Sequence, residues 1–551
     1  MRAHLLAAPL SLLALAVGCA DQVPEEPGVV DIKAPKILVT QPERGAVVGD
    51  VDTIAVEGTV TDDQGVAAVV VNGVPATVEA DGTFRVTVPV FPGTNLVQTL
   101  AHDAAGNVGS DTRSALAGAL SPVNKPLPDS VLATLSADTF QTIGDAAADF
   151  VETADLLGMA AAANPVIDVG GRDCLYVFAN LNTLDLSTAA ITLTPANGGV
   201  WMSARVTNLY AALDGHYKVA CISGNDDLYA SADVATVSGF LAMDIANGDF
   251  DLNLQAANVS FTNLEIDATG FPGAILGIVD FFASFEDLIA DTIIDAVVPM
   301  VDDALAGLSQ QRSVTVLGTD IDFAVRPSII DVDAAGATIR LDTTVEVAGS
   351  AGGPGFVYTT NAVPNLDHSQ GFGIGVADDV ANELLSAFWA AGGMTQTLDL
   401  TTGSYGQIGA LYDTVEISAL LPPSVAAQTG AGLRLTVGDL LATFYLDGQV
   451  VTKIAVNGTV DLGADVSGGA MVLALSEPDV EVDIIDEGVT GTNALSGDAF
   501  EELISFAAGR LVGASGDLLG ALPLPQIGGV GVTNASVGGV NGYLMVAGTL
   551  E

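Results

Sequence analysis

The side chains best suited to catalysis or metal binding are few and scattered in this sequence. His4 lies in the N-terminal apolar segment, and long stretches of chain separate the other three histidines, which are His102, His216 and His368. The sequence contains no Gly-x-Ser-x-Gly, His-Glu-x-x-His or phosphate-binding glycine loop ending in Lys. Residues 331–336, DVDAAG, begin like a calcium loop but lack its distal Glu. The sequence therefore predicts a protein that is not an enzyme and has no cofactor and no bound metal.

The composition limits the classes of partner that the protein can bind. The 551 residues include 67 acidic and 16 basic side chains, for a formal charge of −51. Such a chain is repelled by phosphate, which predicts no nucleic acid partner and no general attraction to anionic lipid surfaces. Because 49% of the residues are apolar, the charge does not predict disorder. The length predicts two to four domains.

The N-terminus predicts export. Residues 1–18 have one Arg, an apolar run and small residues before Cys19, and the stretch AVGC resembles a bacterial lipobox. The resemblance implies that Cys19 is lipidated and that the chain is anchored to a bacterial membrane, most simply at the outer membrane or cell surface. The alternative is an ordinary secretory signal with an incidental cysteine. Residues 19–34 are polar and aperiodic, which predicts a flexible tether.

Residues 35–114 predict an all-β sandwich. Strands are predicted at 36–40, 53–61, 66–71, 76–78, 84–88 and 95–102. The stretch VTDDQGVAAVVVNGVPATVEADGTFRVTVPVFPGTNLVQTLAHDAAGNVG resembles the immunoglobulin-like modules called glucodextranase domain B-like. Such modules act as spacers or adhesive decorations, which implies a surface protein or glycan partner. Asp103 with Asn107, or Asp62 with Asp63, could hold calcium, although loop carboxylates more often form turns.

The elements after a predicted linker at 115–130 occur in an order that repeats. A helix at 137–157 presents one apolar face, and strands follow at 183–194, 200–213, 215–223, 228–245 and 250–268. The face of that helix comprises Phe140, Ile143, Ala147, Phe150 and Ala154. A long amphipathic helix is predicted at 271–308, where Pro299 should kink it or reset its face. Its apolar stripe comprises Ile275, Ile278, Phe282, Phe285, Ile289 and Ile293. Strands at 314–327 and 337–348 follow.

The second occurrence begins with a helix at 377–391, where Asp378 or Asp379 can serve as the N-cap. Strands fill 395–485, a second amphipathic helix is predicted at 498–519, and a hairpin at 530–549 ends the chain. The order of helix, strands, long helix and closing strands thus occurs twice. It predicts a duplicated α+β architecture with halves at 131–353 and 354–551, each a long helix wrapped by a curled antiparallel sheet.

Three stretches carry a resemblance to a known family: VTVLGTDIDFAVRPSIIDVDAAGATIRLDTTVEV, GFGIGVADDVANELLSAFWAAGGMTQTLDL and ALPLPQIGGVGVTNASVGGVNGYLMVAGTLE. They resemble three segments of the bactericidal/permeability-increasing protein-like family, in the tubular lipid-binding superfamily. In order, these segments are the strands that enter the central sheet, the opening of the second barrel and the closing strands. The resemblance covers about residues 128–551. It implies two barrels joined through a central sheet, with apolar tunnels that hold the acyl chains of phospholipid or another lipid.

Carried onto this sequence, the resemblance implies a set of lipid-contacting residues. In the first barrel these are Ile275, Ile278, Phe282, Phe285 and Ile289, and in the second Leu384, Phe388, Phe500, Leu503 and Ala507. The same stripes are equally what an ordinary helix packed on a sheet requires. The predicted function is therefore lipid sequestration or transfer by an exported lipoprotein, and the alternative is a structural or adhesive lipoprotein with filled barrels.

Two features depart from that family. The basic tips with which its bactericidal members grip endotoxin phosphates have no counterpart in the singly scattered basic residues here. The family's usual disulfide ties the long helix to the sheet, whereas Cys174 and Cys221 both lie in the strand region of the first barrel. These two cysteines either pair in an oxidising compartment or stay as buried free thiols.

Overall fold

The computed structural model describes residues 31–162, 164–171, 174–268, 270–272, 281–359, 362–364, 371–402, 409, 411–428, 432–467, 470–476, 478–486 and 532–550. The predicted signal, Cys19 and most of the predicted tether therefore lie outside the described residues. So does the predicted helix at 498–519. No helix in the described ranges is long and apolar enough to cross a membrane.

The N-terminal part is a two-sheet sandwich, called here the immunoglobulin-like module. Its strands are β1 (Lys36–Gln41), β2 (Ala46–Gly49), β3 (Thr53–Thr61), β4 (Val66–Val71), β5 (Val74–Pro75), β6 (Thr77–Val78), β7 (Thr83–Pro89), β8 (Gly93–Asp103) and β9 (Val108–Ala117). One sheet has the order β1-β3-β7-β6 and the other β2-β9-β8-β4-β5. Alternating residues of both sheets, including Val56, Val69 and Val97, enclose a separate core.

The first half of the remaining chain is a curled sheet with helices against its concave face. Its elements are β11 (Leu127–Ser136), α1 (Ala137–Thr153), α2 (Leu156–Ala161), β12 (Ile167–Gly171), β13 (Leu175–Asp185), β14 (Thr188–Ala196), β15 (Gly199–Val219), β16 (Ile222–Ala246), β17 (Asp249–Thr262), β18 (Glu265–Asp267), α3 (Phe281–Ala306), β19 (Gln310–Val316), β20 (Thr319–Asp333) and β21 (Gly336–Val347). Gly215 lies inside β15 and does not divide it, so two predicted strands are one. α3 continues through Pro299 to its end.

The second half follows the same order. Its elements are β23 (Phe372–Ala377), α4 (Asp378–Ala390), β24 (Thr395–Asp399), β25 (Thr414–Ala419), β26 (Ser424–Ala427), β27 (Leu433–Leu446), β28 (Gln449–Ser467), β29 (Ala470–Leu475), β30 (Asp479–Asp486), β31 (Val532–Val540) and β32 (Tyr543–Leu550). Two short strands, β10 (Leu120–Ser121) and β22 (Phe356–Val357), pair where the connecting segments pass each other.

The sheet orders make the duplication explicit. The first curled sheet runs β12-β13-β15-β16-β17, with β14 on β15 and β18 on β16. The second runs β24-β25-β27-β28-β29, with β26 on β27 and β30 on β28, so each strand has a counterpart. A central seven-stranded sheet, β19-β20-β21-β11-β23-β32-β31, joins the halves through the antiparallel pair β11 and β23.

Three predictions about these elements are wrong. The predicted linker at 115–130 is too long, because β9 continues to Ala117 and β11 begins at Leu127, which leaves residues 118–126, with the short strand β10, between them. Phe150 is 41% exposed, since Val151 takes the inward position one turn after Ala147. The N-cap of α4 is Ala377, which makes no capping side-chain hydrogen bond, because Asp378 and Asp379 point into the protein from the first turn.

Candidate functional site

The candidate site is the apolar interior of the first half, between α3 and the concave face of its curled sheet. Phe285, Ile289 and Ile293 of α3 are at most 5% exposed, as their spacing along one helix face predicts. The ring of Phe285 stacks on that of Phe261 in β17, with centroids 5.4 Å apart. This part of the predicted stripe therefore faces the sheet.

Small residues line part of the sheet side of the interior. In β15 and β16, residues alternate between the two faces, and Ala211, Ala230, Ala232 and Ala235 all point inward and are at most 4% exposed. Alanines let a helix approach closely, and they present little bulk of their own. Larger side chains of the sheet, such as Leu209, Leu213 and Leu228, fill the rest of the interior together with those of α3.

In the part of the chain that the structure describes, the free space beneath α3 is small. A cavity of about 20 Å³ lies there, which is room for about one water molecule. Its lining comes from β12, β15, β16, β18 and the start of α3: Val166, Ile167, Leu213, Leu228, Tyr229, Ala230, Ile266, Phe285 and Leu288. An acyl chain therefore fits only if α3 moves away from the sheet.

The other residues implied to contact lipid are placed differently. Ile275, Ile278, Phe500, Leu503 and Ala507 lie outside the described residues, as does the side chain of Phe282. Leu384 and Phe388 of α4 are partly buried against the central sheet, in a cluster with residues such as Val345. The interior of the second curled sheet is a different cluster, built on Leu400, Tyr412, Val415, Phe444 and Ile454.

A disulfide closes one end of the first curled sheet. Cys174, just before β13, pairs with Cys221 in the turn between β15 and β16, with Cα atoms 4.2 Å apart. Ala220 and Cys221 both have left-handed backbone conformations, as a two-residue turn between strands requires. The bond joins two neighbouring strands, so it does not connect α3 to the sheet.

Two buried carboxyl groups on α4 were not anticipated from the sequence. Burial raises the pKa of Asp379 to about 7, although Asp379 accepts hydrogen bonds from the backbone and hydroxyl of Thr359. Burial likewise raises the pKa of Glu383 to about 7, and Glu383 is 1% exposed. Its Oε1 accepts from the backbone N–H of Lys125, and its Oε2 has no hydrogen-bond partner among the described residues. Charged residues one turn apart on a short helix normally indicate a solvated face, which hides this arrangement in the sequence.

A second unanticipated feature fixes the module to the outer face of the second half. Arg44 donates to Asp439 Oδ1 at 2.8 Å, to Asp483 Oδ2 at 3.1 Å and to the carbonyl of Thr112 at 2.6 Å. It also lies 3.5 Å from Asp111. Asp439 is fully buried, and burial raises the pKa of Asp483 to about 6 against the opposing effect of Arg44. We call these five residues the Arg44 cluster.

Further contacts surround the Arg44 cluster. The backbone and hydroxyl of Ser114 both donate to Asp439 Oδ2, at 2.8 and 2.7 Å. Glu481 accepts from Gln98 and from the hydroxyl of Thr112. Thr94 donates its backbone N–H to Ser424 Oγ at 2.9 Å. The module therefore packs on the second half through matched polar groups and does not project freely as a spacer.

The two calcium alternatives differ in geometry. Asp103 Oδ1 accepts three successive backbone N–H groups, and its Oδ2 accepts from Asn107, so this pair forms a turn. Asp62 and Asp63 lie with Asp31 in a group whose carboxylate oxygens fall within 4.8 Å of one another. The ammonium group of Lys33 is 2.6 Å from Asp63 and supplies positive charge there.

Comparisons with known proteins agree on the module. Residues 35–117 match the family model described as glucodextranase, domain B. No curated protein sequence gives a significant match to the chain. Among solved structures, a lipopolysaccharide binding protein is similar at 10% identity, with a TM-score of 0.41, over 77% of this chain and 98% of that one. P47 from Clostridium botulinum A2 is similar at 9% identity, with a TM-score of 0.25, over 76% of this chain and 97% of that one.

Proposed function

We propose that this chain binds the acyl chains of phospholipid or another lipid in the apolar interior of its curled sheets, and that it does so without catalysis. We further propose that it is exported and anchored to a bacterial membrane through a lipidated Cys19. The observation that carries the lipid proposal is the predominantly apolar contact between α3 and the concave face of the sheet, whose inward residues include four alanines. Such a contact can be exchanged for another apolar surface without leaving polar groups unpaired.

The energetics are compatible with this exchange. Each methylene removed from water contributes about 0.8 kcal/mol, so a chain of ordinary length offsets a substantial loss of helix packing. Transfer from a bilayer to the interior leaves the acyl chain in an apolar medium throughout, and the cost is then mainly that of moving α3. Because the cavity in the closed structure holds about one water, lipid entry requires that movement.

The test is to extract the purified protein with organic solvent, identify bound lipid by mass spectrometry and measure uptake of a fluorescent fatty acyl probe. Ala230→Phe places a ring in the cavity lining and should reduce uptake at least about tenfold, since overpacking of about 1–3 kcal/mol opposes entry. Ala190→Phe adds the same ring at an exposed position of β14 and serves as the control. Absence of both co-purified lipid and probe uptake would refute the proposal.

A structural or adhesive role is the second candidate, and two observations favour it. The interior beneath α3 is closed, and the module is held rigidly on the second half by the Arg44 cluster. In that case neither the wild-type protein nor Ala230→Phe should take up the acyl probe, and Ala230→Phe should only destabilise the protein. The two candidates are therefore separated by the same pair of variants.

A further inference from the structure

The two halves share one local irregularity at the centre of their outer faces. In β15 the left-handed residue Asn208, with φ of 52°, stands where the pairing partner changes from β14 to β13. In β27 the left-handed residue Asp439, with φ of 44°, stands where the partner changes from β26 to β25. Asn208 and Asp439 are thus topological counterparts.

The strands alongside extend the match. The position facing Asn208 on the next strand is Asp233, and the position facing Asp439 is Asn457. The strand segment beyond these positions carries Asn263 and Glu265 in the first half and Glu481 and Asp483 in the second, all pointing outward. The registers agree, because Glu265 pairs with Ser231, two residues before Asp233, and Asp483 pairs with Ala455, two residues before Asn457. Asn263 Nδ2 donates to Asp233 Oδ2 at 2.6 Å, which confirms that these two side chains are neighbours.

The matched positions are used differently in the two halves. In the second half, Asp439, Asn457, Glu481 and Asp483 all bind the module, and Arg44 lies between two of them. In the first half the four counterparts are all exposed. We call this group the Asn208 surface: Asn208, Asp233, Asn263 and Glu265.

The surroundings of the Asn208 surface resemble a protein interface. Tyr210 and Tyr229 lie beside it, are 38% and 40% exposed, and stack with ring centroids 6.4 Å apart. Tyrosine is enriched at protein interfaces relative to the rest of the surface. The chain's own module is seated on the second half, so an occupant of the first half has to come from another chain.

We propose that the Asn208 surface binds a second immunoglobulin-like module, supplied by another polypeptide chain, which presents an arginine to Asp233 and Glu265. In the second half Arg44 lies between Asp439 and Asp483, so the carboxylate and the amide of the two facing positions are exchanged between the halves. The occupied counterpart in the same chain shows how such a module is bound: a guanidinium lies between two carboxylates, and backbone N–H groups of the module donate to the same carboxylates. The surface carries two carboxylates and no cation among its four members, so its charge is complementary to an arginine.

The probe is residues 31–117 of this chain prepared separately, since β1–β9 form their own two sheets around their own core. It is titrated onto the full chain by biolayer interferometry at low and at physiological salt. We expect saturable binding at physiological salt, where the repulsion between the two acidic partners is screened. Asp233→Asn with Glu265→Gln in the full chain should weaken binding by about tenfold or more, and so should Arg44→Ala in the probe.

Two controls keep the test decisive. Asp249→Asn removes an exposed carboxylate at the start of β17 and should leave binding unchanged. Asp439→Asn with Asp483→Asn reports exchange of the probe with the chain's own module. Absence of binding would overturn the proposal. So would binding that depends on Asp439 and Asp483 and is insensitive to Asp233 and Glu265.

Discussion

Replacing Arg44 by Met should weaken the attachment of the module to the second half. The substitution keeps an unbranched apolar side chain but leaves Asp439, which is fully buried, and Asp483 without their shared guanidinium. Removing one partner of a buried ion pair costs about 3–5 kcal/mol, because the remaining charge is desolvated and unpaired. Asp439 keeps its hydrogen bonds from Gly45 and Ser114, so the lower end of that range applies.

The effect should depend on pH, with a sign that follows from Asp483. The pKa of Asp483 is raised from 3.8 to about 6 in the folded protein. The free energy of unfolding therefore falls as the pH rises from about 4 to 6, because the buried carboxyl loses its proton there. Without Arg44, which lowers this pKa, the carboxyl should stay protonated to higher pH. Arg44→Met is therefore expected to cost most at pH 8 and least near pH 5.

Hydrogen exchange measured by mass spectrometry is the suitable assay, since a chain of several domains does not unfold in two states. A loss of about 3 kcal/mol corresponds to exchange about 100-fold faster in β9 and β27, the strands that meet at the interface. Arg85→Met is the control, because it breaks an exposed pair with Glu57 that contributes at most about 1 kcal/mol. Exchange in β9 and β27 that changes no more in Arg44→Met than in Arg85→Met would refute the reasoning.

Three further predictions concern stability. Glu383→Gln should raise the free energy of unfolding by about 2 kcal/mol at pH 8 and by little at pH 4. The reason is that the pKa of Glu383 is raised from 4.5 to about 7, so the wild-type protein loses stability as the pH rises through that interval. Urea titrations at pH 4 and pH 8 check this prediction. Phe285→Ala should cost about 3–5 kcal/mol and lower the thermal midpoint of the first half in calorimetry, whereas Phe150→Ala, at an exposed position of α1, should cost less than about 1. Replacing Cys174 and Cys221 by Ser should cost about 4 kcal/mol, the chain-entropy value for a sequence separation of 47, and an unchanged calorimetric midpoint would contradict it.

The periodicity of the sequence predicted the parts of the fold that depend on local pattern. The spacing of Phe285, Ile289 and Ile293 was sufficient to orient α3, and the order of helices and strands was sufficient to predict the duplication. The Arg44 cluster could not be predicted in the same way. Arg44 binds carboxylates that are 395 and 439 residues away in sequence, and in a chain with 67 acidic residues no spacing singles them out.

The buried acids of α4 were missed for a different reason. A carboxylate on a helix is normally assigned to solvent, because burial without a partner is unfavourable. Here Asp379 and Glu383 are covered by the connecting segments that carry Thr359 and Lys125, and the helix pattern contains no trace of those segments. The signal that was available is the lack of a matching basic residue on the same face of α4.

The duplicated architecture separates the two proposed activities in space. The apolar interior lies on the concave side of the first curled sheet, and the Asn208 surface lies on its outer side, because successive residues of β15 and β16 point to opposite faces. Lipid entry by movement of α3 and docking of a second module therefore need not compete. Ala230→Phe should impair lipid uptake and spare module binding, while Asp233→Asn with Glu265→Gln should do the reverse. If either change impaired both activities, the two faces would have to be coupled through the sheet itself.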